Sequence, residues 1–329
     1  MVEQEGREVG LSRRTIGNLD LDQLVDSISA VYVTHDRARP LWDVWSHALH
    51  HAAAIAEEAR KLDCPGAPES KLRQEIADFT FWLLTTIFKL RGRLGERVHE
   101  FPVRDSLVRI SGRAADLLWN RYPGLCPWCN CPAEASPFTY EQELWKQCGC
   151  DQKDSQRETK SKDALRERAM ITRRTAALNA DKRPKSIDQW QAAIDEMYRS
   201  RRLRLSLKDI SLHLLEEMGE VADGMIRMYT FLEKDLGNLQ TELYARQRRL
   251  DDELADVFSW LLTLVGKLDL MDNDTDLSRG YALLSQILWD QYGNDEKEAF
   301  ECRHCNSRTC KCDIVILNDQ DQIDGLFLR

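Results

Sequence analysis

The chain has 329 residues, enough for two domains of ordinary size, and its 43% hydrophobic and 31% charged content is that of a globular protein with many exposed helix faces. The sequence contains no run of eighteen apolar residues that would make a spanning helix, and the charged start MVEQEGREVGLSRRT lacks the apolar centre of a secretory signal, so a cytoplasmic protein is expected. A net charge of −9 argues against a nucleic-acid partner.

In chain order, residues 1–17 are expected to be a flexible, charged N-terminus. Apolar residues then recur every three or four positions, which predicts helices over 18–38, 40–62, 69–95 and 104–121. A cysteine-rich stretch closes this first unit at 150. Residues 151–185 carry more Lys and Arg than acid and few large apolar groups, as a charged linker does. A second set of helices is predicted over 187–204, 207–235, 239–269 and 277–292. More cysteines close the second unit, 186–312, and 313–329 remain as a tail.

The two units repeat one pattern. LDQLVDSISAVY (Leu21–Tyr32) matches IDQWQAAIDEMY (Ile187–Tyr198), and the same offset of 166 (213 − 47) carries His47 onto His213. QEIADFTFWLLTTIFKL (Gln74–Leu90) returns as DELADVFSWLLTLVGKL (Asp252–Leu268), and LLWNRYPGLCPWC (Leu117–Cys129) is echoed by ILWDQYG and then CRHC. Few Gly or Pro interrupt these segments and β-type alternation is absent, so the class is all-α.

In the second unit, Leu207, Ile210, Leu214, Met218, Val221, Met225 and Met228 form a core stripe. Glu217 and Glu220 lie beside it on one face, with Glu216 and Asp223 close by. On the following helix the stripe is Leu250, Leu254, Val257, Leu261, Leu264 and Leu268, flanked by Glu253, Asp256, Trp260 and Lys267. Packing the two helices through these stripes brings their acidic edges alongside. Carboxylates at the margin of a core repel one another unless something neutralises them. A cluster of hard oxygen ligands suits Mg²⁺ or Mn²⁺. The plainer reading of the same residues is a pair of solvated, salt-bridged helix faces.

LLEEMGEVADGM followed by DELADVFSWLLTLVGKL resembles the MazG family of all-α nucleoside triphosphate pyrophosphohydrolases, whose signature is ExxE, a spacer, then ExxD. Glu217, Glu220, Glu253 and Asp256 match it. The spacer between the two pairs is longer than is usual in the family. The resemblance covers the helices of the second unit well and those of the first in degraded form. It implies tandem MazG-like four-helix units packed as a pseudo-dimer. It also implies hydrolysis of a nucleoside or deoxynucleoside triphosphate to the monophosphate and pyrophosphate at one site in the second unit. The four carboxylates would hold Mg²⁺ or Mn²⁺, with Glu216 or Asp223 as candidate bases. Lys267 and Arg227 are candidate phosphate contacts, and Trp260 is either a stacking surface for the base or a core residue.

The first unit keeps Glu75 and Asp78, but Glu217 falls on His51 and Glu220 on Ala54. This unit is therefore expected not to hydrolyse nucleotides and to serve as the partner of the second. His47 and His51, one turn apart, offer an alternative with Glu75 and Asp78: a site for Zn²⁺ or Mn²⁺.

Eight of the ten cysteines fall into two sets of one form, CxxC and later CxC: Cys126, Cys129, Cys148 and Cys150, then Cys302, Cys305, Cys310 and Cys312. Four thiolates from two short knuckles are what tetrahedral Zn²⁺ requires, and each set is a candidate structural zinc site. Cys131 can replace a neighbour as ligand, and Cys64 stands alone. The competing readings of the whole chain are an inactive nucleotide sensor or a zinc-module scaffold holding a protein or nucleic acid. Base preference, sugar preference and homo-oligomerisation are left open.

Overall fold

The structure is a computed structural model that describes residues 15–62, 69–91, 110, 112–123, 175–176, 180–198, 202, 204–232, 239–272, 283–303 and 305–311. The described residues form eight α-helices: α1 (Leu21–Ala38), α2 (Leu41–Leu62), α3 (Glu69–Arg91), α4 (Ala114–Arg121), α5 (Ile187–Met197), α6 (Leu207–Leu232), α7 (Leu239–Asp272) and α8 (Leu284–Tyr292). A small antiparallel hairpin follows, β1 (Gly293–Asn294) pairing with β2 (Ala299–Phe300). Two residues per strand are too few to give any alternation, so this hairpin was not expected from the pattern. No helix among the described residues is long and apolar enough to cross a membrane. The first cysteine set, Cys64, Cys131, Cys312 and most of the expected linker lie outside the described residues.

Local chemistry explains where several helices begin. Asp20 Oδ1 accepts the Gln23 amide (2.8 Å) while Gln23 Oε1 accepts the Asp20 amide (2.9 Å), a reciprocal cap for α1. Ser206 and Asp209 cap α6 in the same way. The helix expected over 104–121 is shorter than the pattern suggested, because α4 starts only at Ala114. Its first amides, those of Ala114 and Ala115, are taken by Asp22 of α1 at 3.0 and 3.3 Å. The counterpart in the second unit is Asp188, which accepts the Ser285 hydroxyl at 2.7 Å at the start of α8. Ile16, expected in the flexible N-terminus, is fully buried, and the Ile187 amide bonds the Leu19 carbonyl at 2.9 Å. The ordered first unit thus begins earlier than composition indicated.

The apolar stripes of α6 and α7 are buried along their whole length. α7 is also buried on its other sides at Ala255, Phe258, Leu262 and Val265. Buried hydroxyls such as Thr80 in α3 and Thr263 in α7 stay satisfied by bonding the carbonyl four residues back (2.7 Å each). Each fully buried Leu or Phe contributes about 2 kcal/mol of transfer free energy, and this drives the assembly.

The helix contacts pair off reciprocally between the units. α2 packs on α3 and α6 on α7 within each unit, while α2 packs on α6 across the middle. The last helix of each unit crosses over: α4 packs on α7, and α8 packs on α3. Each long helix is therefore completed by the other unit, and neither can bury its core alone.

Candidate functional site

The α6–α7 packing places Glu217, Glu253 and Asp256 so that one carboxylate oxygen of each lies within 4.8 Å of the others. Their helices converge because the stripes beside them, centred on Met218 and Val257, are both sequestered in the core. Burial first, then the charges of Asp256, Glu220 and Glu253, push the Glu217 carboxyl up to about 8. Burial and then Glu220 and Asp256 push Glu253 up to about 7. Glu220 sits nearer the rim, exposed, yet is close enough to share a hydrogen bond with Glu253. All four acids of the motif thus act on one another.

The first unit contributes directly to this cluster. At the end of α4, Arg121 donates to both oxygens of Asp256, Nε to Oδ1 at 2.9 Å and Nη2 to Oδ2 at 2.6 Å. The Tyr122 hydroxyl donates to the same carboxylate. A cavity beside the cluster is lined by Tyr122, Tyr198, Glu217, Asp256, Ser259, Trp260 and Thr263. Its lining sets two tyrosines, an indole and two hydroxyls beside the carboxylates.

Of the remaining residues singled out by pattern, Trp260 lines this cavity and Glu216, Asp223, Arg227 and Lys267 do not. Trp260 is half-buried, stacked on His213 with ring centres 4.5 Å apart and planes 14° apart, and its Nε1 donates to Glu217 at 3.3 Å. One ring face is therefore occupied, and the indole orients a carboxylate. Glu216 is exposed and faces His213 at 3.2 Å. Asp223 pairs with Arg227 at 2.6 Å on the surface. Burial, and then the charge of Arg202, lower the Lys267 ammonium pKa. None of Glu216, Asp223, Arg227 and Lys267 lines the cavity. Tyr122 and Tyr198 line it, and Arg121 holds Asp256 beside them. Tyr122 belongs to the Trp–x–x–Tyr that recurs in LLWNRY and ILWDQY, with Arg121 before it, a signal that a search for acids passes over.

The first unit holds a counterpart with different chemistry. His51, Glu75 and Asp78 each place a ligand atom within 4.8 Å of the others. His51 Nδ1 meets Glu75 Oε2 at 2.8 Å. Asp78 accepts the Tyr292 hydroxyl (2.5 Å) and Arg303 Nη1 (2.8 and 3.1 Å) from the second unit. His47 is not part of this group: it stacks on Trp82 with centres 4.3 Å apart and planes 14° apart, repeating the His213–Trp260 pair. The expected four-residue site of His47, His51, Glu75 and Asp78 therefore reduces to three, each already facing a polar partner.

Beyond the hairpin, Cys302, Cys305 and Cys310 bring their sulfurs within 4.8 Å of one another. The Lys311 amide points at Cys305 Sγ (3.4 Å), and Asn306 takes a positive φ of 50°, as a tight thiolate turn requires. The Cys310 amide bonds the Val31 carbonyl of α1 at 2.6 Å, which ties this module to the first unit. Comparison with known protein families, with curated proteins and with solved structures finds nothing that matches this chain.

Proposed function

We propose that the chain is a nucleoside triphosphate pyrophosphohydrolase with one working site, at Glu217, Glu220, Glu253 and Asp256. The observation that carries this reading is the charge imbalance between two equivalent places. In the first unit His51 faces Glu75 and Arg303 faces Asp78. In the second unit four acids meet, and their buried basic partner is Arg121 on Asp256. The second place calls for a cation, and donors that are all carboxylate oxygens fit Mg²⁺ or Mn²⁺.

Glu217, Glu253 and Asp256 would hold the ion, with Glu220 completing the charge at the rim. Bound there, the ion would neutralise phosphate charge and acidify a water. The protein's own groups do the rest. Glu217 is aimed by the Trp260 indole, and Asp256 is aimed by Tyr122. Tyr122, Tyr198, Ser259 and Thr263 offer walls and neutral hydrogen-bonding groups for a base and sugar. Water's oxygen would bond to the α-phosphorus, releasing its proton to solvent, while the bond to the α–β bridging oxygen breaks and pyrophosphate leaves. The products are the monophosphate and pyrophosphate. The MazG-like order of the four acids supports the same reaction. Cys302, Cys305 and Cys310 are proposed to hold a structural Zn²⁺ that fastens the second unit's end onto α1.

The test is pyrophosphate release from a panel of ribo- and deoxyribonucleoside triphosphates with Mg²⁺ or Mn²⁺. Glu217→Gln and Asp256→Asn should each lower the rate about 100-fold or more. If wild type and both variants are equally inactive while nucleotide still binds, the chain is a nucleotide sensor, a reading that the self-neutralised first unit favours.

A further inference from the structure

Two helices of this chain, α4 and α8, end in related sequences, Trp119-Asn120-Arg121-Tyr122 and Trp289-Asp290-Gln291-Tyr292. Each delivers its tyrosine hydroxyl to the aspartate of the opposite unit, Tyr122 to Asp256 and Tyr292 to Asp78. The residue before the tyrosine differs. It is arginine where the four carboxylates are complete and glutamine where they are degenerate. Gln291 needs no charge there, because Arg303 already reaches Asp78 and Gln291 turns its amide oxygen toward that guanidinium. A forked cation is thus present on the one helix end that meets the full acidic set.

A guanidinium presents paired donors whose spacing matches carboxylate and phosphate alike. Arg121 uses that fork on Asp256, from a side chain only 21% exposed. A triphosphate entering the cavity brings several negative charges toward four acids, and its approach requires a buried positive group at the same point. Lys267, Arg227 and Arg249 are less suited. Arg121 and Lys267 both stand outside the cavity's lining, but Arg121 holds Asp256, which is part of it; Arg227 is engaged by Asp223 on the surface, and Arg249 reaches Glu253 from an exposed position on its own helix.

We propose that Arg121 is the phosphate-binding residue of the second unit's site, giving up Asp256 to a divalent cation and receiving phosphate oxygens of the nucleotide in exchange. This rests on the hydrolase reading of that site. The first unit then does more than support the second: it supplies a substrate ligand, and the site exists only in the joined pair.

The test compares wild type with Arg121→Gln, which copies the chain's own Gln291, and with Arg121→Lys, after circular dichroism has shown that each keeps its helical content. Mn²⁺ affinity without nucleotide is measured by electron paramagnetic resonance. Affinity for an α,β-methylene nucleoside triphosphate is then measured with Mn²⁺ present. In Arg121→Gln, Mn²⁺ should bind about 3- to 10-fold more tightly because its competitor for Asp256 is gone, while analogue affinity falls about 10-fold or more. Arg121→Lys should lie between the two. Unchanged Mn²⁺ and analogue affinities in Arg121→Gln, with only a lowered Tm, would make Arg121 a structural clamp and overturn the exchange alone. A wild type that binds no Mn²⁺ overturns the site reading and the exchange together.

Discussion

Replacing Glu217 by Gln should stabilise the metal-free protein even though it removes a proposed metal ligand. In the fold this carboxyl is pushed from 4.5 up to about 8, first by burial and then by Asp256, Glu220 and Glu253. The sign follows from linkage: a carboxyl raised on folding contributes full stability below its unfolded pKa and loses it as pH rises through the folded value. At pH 7.5 the unfolded chain carries Glu217 ionised and the native fold keeps it protonated. Roughly three pH units at about 1.4 kcal/mol each set a ceiling of about 4 kcal/mol. Water reaching the outer part of the side chain screens this to roughly 2 kcal/mol. Glutamine keeps the shape of the protonated acid, so Glu217→Gln should gain about 2 kcal/mol at pH 7.5 and under about 0.5 kcal/mol at pH 5. Urea unfolding in a chelator at both pH values measures the difference, and a saturating divalent cation should reverse its sign by favouring wild type. A variant that is destabilised in chelator, or equally affected at both pH values, would refute the reasoning.

Other substitutions probe the frame. Asp22→Ala should cost about 2–3 kcal/mol in chemical unfolding, because it strips two amides at the start of α4 and leaves Arg91 and Arg113 without their shared acceptor. An unchanged midpoint would show that α4 is held by packing alone. Gly293→Ala should destabilise by about 1–3 kcal/mol, since a methyl group would sit 2.2 Å from the Trp289 ring and 2.6 Å from its carbonyl oxygen. Equal Tm values would contradict that packing. On the proposal that Cys302, Cys305 and Cys310 hold Zn²⁺, a strong chelator, or Cys305→Ser, should lower Tm and raise amide exchange around Val31 of α1, because Cys310 bonds there. A preparation without zinc that keeps wild-type exchange at α1 would exclude a metal in this module.

Most of the helical frame was legible in the sequence because its signal is local and repeated. The stripes of α6 and α7 are those the spacing indicated, and every one of their residues is buried. The convergence of Glu217, Glu253 and Asp256 was legible too, because two apolar seams can meet in few ways. What could not be read was set by long-range contacts. Arg121 and Tyr122 reach Asp256 across 135 and 134 positions, and no periodicity records which unit a helix end will touch. The surroundings of Lys267 and Arg227 were hidden for a related reason. Charge and proximity in sequence name candidates, but Arg227 meets Asp223 on its own helix and neither Arg227 nor Lys267 lines the cavity. The late start of α4 was hidden because its cap comes from Asp22, on another helix.

The account stands on a divalent cation held by the second unit and refused by the first. Anomalous diffraction from crystals soaked in Mn²⁺ tests this most directly. The expected result is a peak among Glu217, Glu253 and Asp256, absent from Asp256→Asn, with none among His51, Glu75 and Asp78. A peak only in the first unit, or none at Glu217 in crystals whose site is open to solvent, would contradict it.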